Sequence, residues 1–158
     1  MRKKILALSI PLALVASLIL SGCTVVFADA SNPVMGAAKI IKEQDDNAKA
    51  DLANVAYGNE FNLANEGQYA ATLDELRANV EAKIAAGGSG PIITLSEGTV
   101  VDMTSSPARD SYLIAAKSQS GHVFMRSSKS ASATEFDSLE EYNTSASPIA
   151  DVPLPTLN

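Results

Sequence analysis

The stretch "NPVMGAAKIIKEQDDNAKADLANVAYGNEFNLANEGQY", Asn32 to Tyr69, decides how the rest of the chain is read. Asn32 is a good helix cap, Pro33 suits a first helical position, and no further proline occurs before Pro91. Val34, Ala37, Ala38, Ile41, Ala48, Leu52, Val55, Ala56 and Leu63 fall on one stripe when wound at about 100° per residue. Lys39, Glu43, Asp46 and Glu60 lie opposite. Asn65 and Gly67 supply the stop. The spacing predicts one helix from about residue 33 to about residue 66, roughly 50 Å long at about 1.5 Å per residue. Gln44 and Asp45 break the stripe between Ile41 and Ala48. The first three or four turns are therefore expected to project as a stalk while the second half packs.

Downstream, Thr72-Leu73-Asp74-Glu75 has the T-x-x-E form of a capping box, followed by Leu76, Val80 and Ile84 at helical spacing. Gly87 to Gly90 ends this second helix as a flexible turn; no lysine follows in the register of a phosphate loop. The period then changes. "PIITLSEGTVVDM" and "SYLIAAKSQSGHVFMRSS" are rich in β-branched and aromatic residues and are divided by turn-forming runs. Strands are predicted near Ile92–Leu95, Thr99–Met103, Tyr112–Lys117 and Val123–Ser127, in an antiparallel meander because the connections are short. The fold class is α+β: a long N-terminal helix packed on a small antiparallel sheet. One core is expected to join Leu52, Val55, Leu63, Tyr69, Leu76, Ile114 and Phe124. Residues 129–158, Ser-rich and then Pro-rich without a period, are expected to form a flexible, largely disordered tail.

Upstream, Arg2, Lys3 and Lys4 precede an apolar run from Ile5 to Leu20, and Ser21 and Gly22 follow. Charged, apolar, small is the order of a secretory signal. The run is shorter than the roughly 20 residues of a spanning helix and contains Pro11. Two cleavage points compete. Ala28-Asp29-Ala30 fits the A-x-A rule. Leu20-Ser21-Gly22-Cys23 resembles the lipobox of bacterial lipoproteins. That resemblance implies a diacylglyceryl group on Cys23, which becomes the mature N-terminus. It also accounts for a single cysteine in an exported chain, where thiols usually pair. The division is then residues 1–22 signal peptide, 23–32 anchor and linker, 33–128 folded domain and 129–158 tail.

The 158 residues suit one domain, and 46 % hydrophobic content suffices for a core. Net charge is −6, and loss of the three basic signal residues makes it three units more negative. Such a surface argues against nucleic acid as a partner. No metal or cofactor motif occurs, and neither a G-x-S-x-G elbow nor H-E-x-x-H nor C-x-x-C is present. The single histidine, His122, falls in a predicted turn and reads as solvated. "KEQDDNAKAD", Lys42 to Asp51, lacks the spacing of a calcium loop and reads as a solvated helical face. Tyr57 and Phe61, four apart on the face opposite the stripe, form a candidate partner contact.

The order of elements resembles the head domain of type IV pilins and of type II secretion pseudopilins. Asn65-Glu66-Gly67-Gln68-Tyr69, followed by Leu73 and Leu76, is similar to the family's turn after the long helix. "YLIAAKSQSGHVF", Tyr112 to Phe124, is similar to its central hairpin. The likeness covers about residues 48 to 128. The family's G-F-T-L-x-E start is missing, and the apolar run precedes Gly22 instead of following it. Three functions are weighed. The first is a non-enzymatic envelope lipoprotein held outside the cytoplasm by lipid at Cys23, with a role in interaction or envelope structure. The second is a minor pilin or pseudopilin that assembles into a pilus-like structure. The third is a ligand-binding lipoprotein, the least favoured because the head has no tryptophan and is small for a closed pocket.

Overall fold

A computed structural model describes residues 33–158. It is an α+β fold: α1 (Pro33–Glu66), α2 (Leu73–Ala85), β1 (Val100–Ser105), β2 (Tyr112–Lys117), β3 (Val123–Ser127), β4 (Ser130–Phe136) and α3 (Leu139–Thr144). The strands form one antiparallel sheet in the order β1-β2-β3-β4. The boundaries of α1, β2 and β3 coincide with the sequence expectation. Cys23 lies outside the described residues.

α1 stops where its backbone turns left-handed. Gly67 has φ 73° and its N–H returns to the carbonyl of Leu63 at 2.9 Å; a side chain there would be strained. α2 starts on the expected cap, with the Glu75 N–H donating to Thr72 Oγ1 at 3.2 Å and the Glu75 carboxylate accepting from the Ala71 N–H. Between the helices, Asn59 Oδ1 accepts from the Ala70 N–H and Asn62 Nδ2 donates to the Gln68 carbonyl, each at 2.9 Å. Two buried amides on α1 thus hold the loop against the helix it leaves.

Successive residues of β2 and β3 point to opposite faces. Ile114, Ala116 and Phe124 meet α1 and α2, joining Leu52, Val55, Tyr69 and Leu76 in one core with Leu63 packed against it. All seven residues expected to share a core do so. Gly58 lets residues 91–96 approach α1: a Cβ there would lie 2.7 Å from Ile93 Cδ1. No residue from Val34 to Glu43 is buried; Val34 is 76 % exposed, and burial begins at Asp45. Among the described residues no helix is long and apolar enough to cross a membrane.

Two expectations are corrected. Ile92–Leu95 is not a strand. Its backbone is held by α1 instead: Asn54 Nδ2 donates to the carbonyls of Ile92 and Thr94, and Asp51 accepts from the Ser96 N–H at 2.8 Å. Residues 129–158 are not a disordered tail. They supply β4, α3 and a strap over residues 145–158 that crosses the second face of the sheet. Phe136, Tyr142, Ile149, Val152 and Leu157 pack there on Leu113, Ala115, Val123 and Met125. The Tyr142 hydroxyl donates to the Pro155 carbonyl at 2.8 Å, and Asp102 accepts from the Thr156 N–H at 3.0 Å. The strap has no period because its backbone bonds run to side chains of the sheet and of α3, not to a ladder. The folded unit therefore runs to the end of the described chain, beyond the expected boundary at residue 128.

Candidate functional site

Where α1 first meets the body, Asp45 sits in phase with Leu52 on the inward stripe, and its side chain is only 11 % exposed. The β2–β3 turn comes up beneath it. There the Ser118 N–H returns to the His122 carbonyl at 2.8 Å, and Gly121 takes φ 102°. This tight turn aims Ser118, Ser120 and His122 at one carboxylate. The Ser120 hydroxyl donates to Asp45 Oδ1 at 2.5 Å, and His122 Nδ1 lies 2.8 Å from Oδ2. Ser118 Oγ is 3.0 Å from Ser120 Oγ, and Gln44 Nε2 donates to Gln119 Oε1 at 3.0 Å. Burial raises the Asp45 pKa, but hydrogen bonds from Ser120, His122 and Ser118 outweigh it and hold the carboxyl below the usual range.

The sequence pattern places Asp45 and His122 in solvent; the structure corrects both, setting them against each other with Asp45 buried. Asp51, in the same acidic run, is buried as well. The signal was present in the break that Asp45 makes in the apolar stripe, since an acid aimed at a core needs a partner. Chemically the cluster is a clamp. A Ser-His-Asp relay puts the imidazole between hydroxyl and carboxylate. Here Ser120 donates to the carboxylate itself, alongside the imidazole, and the result is a hydrogen-bonded joint between helix and hairpin.

A second cluster anchors the C-terminal part of α1. The hydroxyls of Tyr69 and Tyr112 donate to Glu60 at 3.2 and 3.1 Å, and their rings meet edge to face at 4.7 Å. Burial, then the charge and hydrogen bond of Glu60, pushes both phenols above their usual pKa. Beyond it, Arg109 bonds Glu75 at 2.6 Å and so ties the β1–β2 loop to the start of α2.

The expected pair Tyr57 and Phe61 is divided by its surroundings. Tyr57 is 64 % exposed, whereas Phe61 is half-buried and packs against the core. Its ring abuts Gly90, where a Cβ would lie 3.1 Å from Cζ. Next to this, Val80, Ile84, Pro91, Ile92 and Ile93 line a groove of about 230 Å³ between α2 and residues 91–94. That is below the roughly 300 Å³ at which small-molecule sites begin. Among the described residues no group of three or more His, Cys, Asp or Glu is placed to hold a metal ion. Compared with known protein families, with curated proteins and with solved structures, the chain finds no match.

Proposed function

We propose that the chain is a non-enzymatic lipoprotein of the bacterial envelope. Cys23 carries the lipid, residues 24–32 form the linker, and the pilin-like body from Pro33 onward presents a surface for interaction or envelope structure. The observation that carries this reading is the division of α1. Its C-terminal half is built into the body, while Val34 to Glu43, the part nearest Cys23, stays outside the core. Such a helix spaces a head from an anchor. Two acyl chains, at about 0.8 kcal/mol per buried CH₂, hold a protein stably on a membrane where one does not. The acidic composition disfavours adhesion to anionic headgroups, so attachment rests on the acyl chains. The Asp45 clamp and the Glu60–tyrosine cluster serve this role by fixing the helix to the sheet.

Mass spectrometry of the mature N-terminus tests the reading. A diacylated Cys23 is the expected result, and Cys23→Ser should leave unprocessed precursor or release the protein from membranes. Normal membrane retention of Cys23→Ser at the parent's mature mass would refute the anchor. A mature chain that kept Ile5–Leu20 would instead favour the minor pilin or pseudopilin.

A further inference from the structure

β4 is an edge strand, and its first six residues, Ser130 to Glu135, are all exposed. Only its last residue, Phe136, enters a core. A sheet edge turns a row of backbone N–H and C=O groups to solvent, and proteins usually guard it with charge or proline. Ser130–Thr134 has neither. Pairing with β3 is also incomplete. Ser127 pairs with Ser130 and Met125 with Thr134, so four steps along β4 span two along β3. Ala131, Ser132 and Ala133 form a bulge.

The sequence around that bulge is self-complementary. Read antiparallel against itself about Ser132, Lys129-Ser130-Ala131-Ser132-Ala133-Thr134-Glu135 sets lysine opposite glutamate and serine opposite threonine. Alanine then faces alanine, and Ser132 faces itself. Opposite charges across paired strands are stabilising and like charges destabilising. Glu135 already lies 3.3 Å from Lys49 of α1; a carboxylate has acceptor sites for a second ammonium. Lys49 and Lys129 balance Glu135 and Asp137 here, in a chain whose net charge is −6. Two acidic copies can approach along this edge with little repulsion.

We propose that this edge is a self-association surface, on which two copies pair β4 with β4 antiparallel about a two-fold axis through Ser132. The contact is isologous, so it closes as a dimer. Seven residues a side cover less than the roughly 800 Å² per partner of a stable complex. The association is therefore weak and reversible, and it emerges at high local concentration.

Disulfide trapping in the full chain, with Cys23→Ser to remove the native thiol, reads the register directly. Paired strands hold opposite Cα atoms about 4.5–5.5 Å apart, within the roughly 4.4–6.8 Å that a disulfide spans. At high protein concentration under mild oxidation, Ser132→Cys should form covalent dimer several-fold faster than Ser130→Cys or Thr134→Cys alone. Mixing those two should restore the rate. Ser132→Lys, which sets like charges face to face at an exposed position, should abolish the concentration-dependent rise in sedimentation coefficient. Equal trapping at all three positions, or a parent chain monomeric at every concentration, overturns the proposal. The bulge would then be the guard of the edge. An edge made for a strand of a different protein would likewise show no preference for Ser132.

Discussion

Asp45 is the residue on which the joint between α1 and the β2–β3 turn depends. It accepts from Ser120 and lies against His122 while its own side chain is 11 % exposed. Its carboxyl titrates below the ordinary aspartate value of about 3.9. The stability it contributes is thus present above that pH and lost as pH falls through the lower folded value. Asp45→Asn keeps the shape and removes the charge. It should cost about 1–3 kcal/mol at neutral pH, read as a lower urea midpoint. The gap between parent and variant should close in acid. A gap unchanged between neutral and acidic pH would mean that the charge is not what holds the joint. The anomaly at Asp45 was legible in the sequence as a polar break in an apolar stripe. Its partners were not, because Ser120 and His122 are more than seventy residues away and only the fold brings them near.

At the scale of elements, α1 follows from local rules: a proline at its first position, an apolar stripe with no further proline, and a glycine that turns left-handed at the end. α2 follows from its T-x-x-E cap. The same rule applies once more at Ser138-Leu139-Glu140-Glu141, which opens α3; the Glu141 N–H donates to Ser138 Oγ at 3.2 Å and its carboxylate accepts from the Asp137 N–H at 2.8 Å. That box was present in the sequence, hidden by the Ser/Ala-rich composition around it. Ile92–Leu95 shows the opposite error. Its β-branched residues have strand chemistry, but the first strand forms only at Val100 because α1 takes up the backbone bonds of residues 92–96. Leu52 is the inward residue midway along the packed half of α1 and is 1 % exposed. Leu52→Ala should cost about 2–5 kcal/mol, from lost transfer energy and the cavity left behind. Chemical denaturation measures it, and an unchanged midpoint would contradict the packing of α1 on the sheet.

Considered whole, the molecule is a sheet covered on both faces: α1 and α2 on one, α3 and the strap on the other. Burying Ile149, Val152 and Leu157 contributes about 1.5–3 kcal/mol each at most. Deleting residues 145–158 should therefore lower the unfolding midpoint and expose an apolar sheet face that binds hydrophobic dye. Limited proteolysis of the parent should spare this segment. Rapid trimming at residues 145–158 with no loss of stability would mean that the strap is dispensable. A hint of the second layer lay in β2, where "YLIAA" is continuously apolar. A sheet solvated on one side alternates; a run without alternation is buried on both.

What the amino-acid order settled alone is what depends on neighbours close in sequence: the extent of α1, the caps and stops of the helices, the hairpin of β2 and β3, and the α+β class. The inward set of Leu52, Val55 and Leu76 belongs here too, since helical period alone selects it. The tertiary structure decided everything that depends on distant partners. It placed Asp45 against the β2–β3 turn, gave residues 92–96 to α1, and ordered a Pro-rich segment that has no local preference to announce it. The physical reason is the same in each case. A period or a cap is stabilised within a few turns of chain, whereas a buried carboxylate or an aperiodic strap is stable only where another part of the fold supplies its hydrogen bonds and covers its apolar groups.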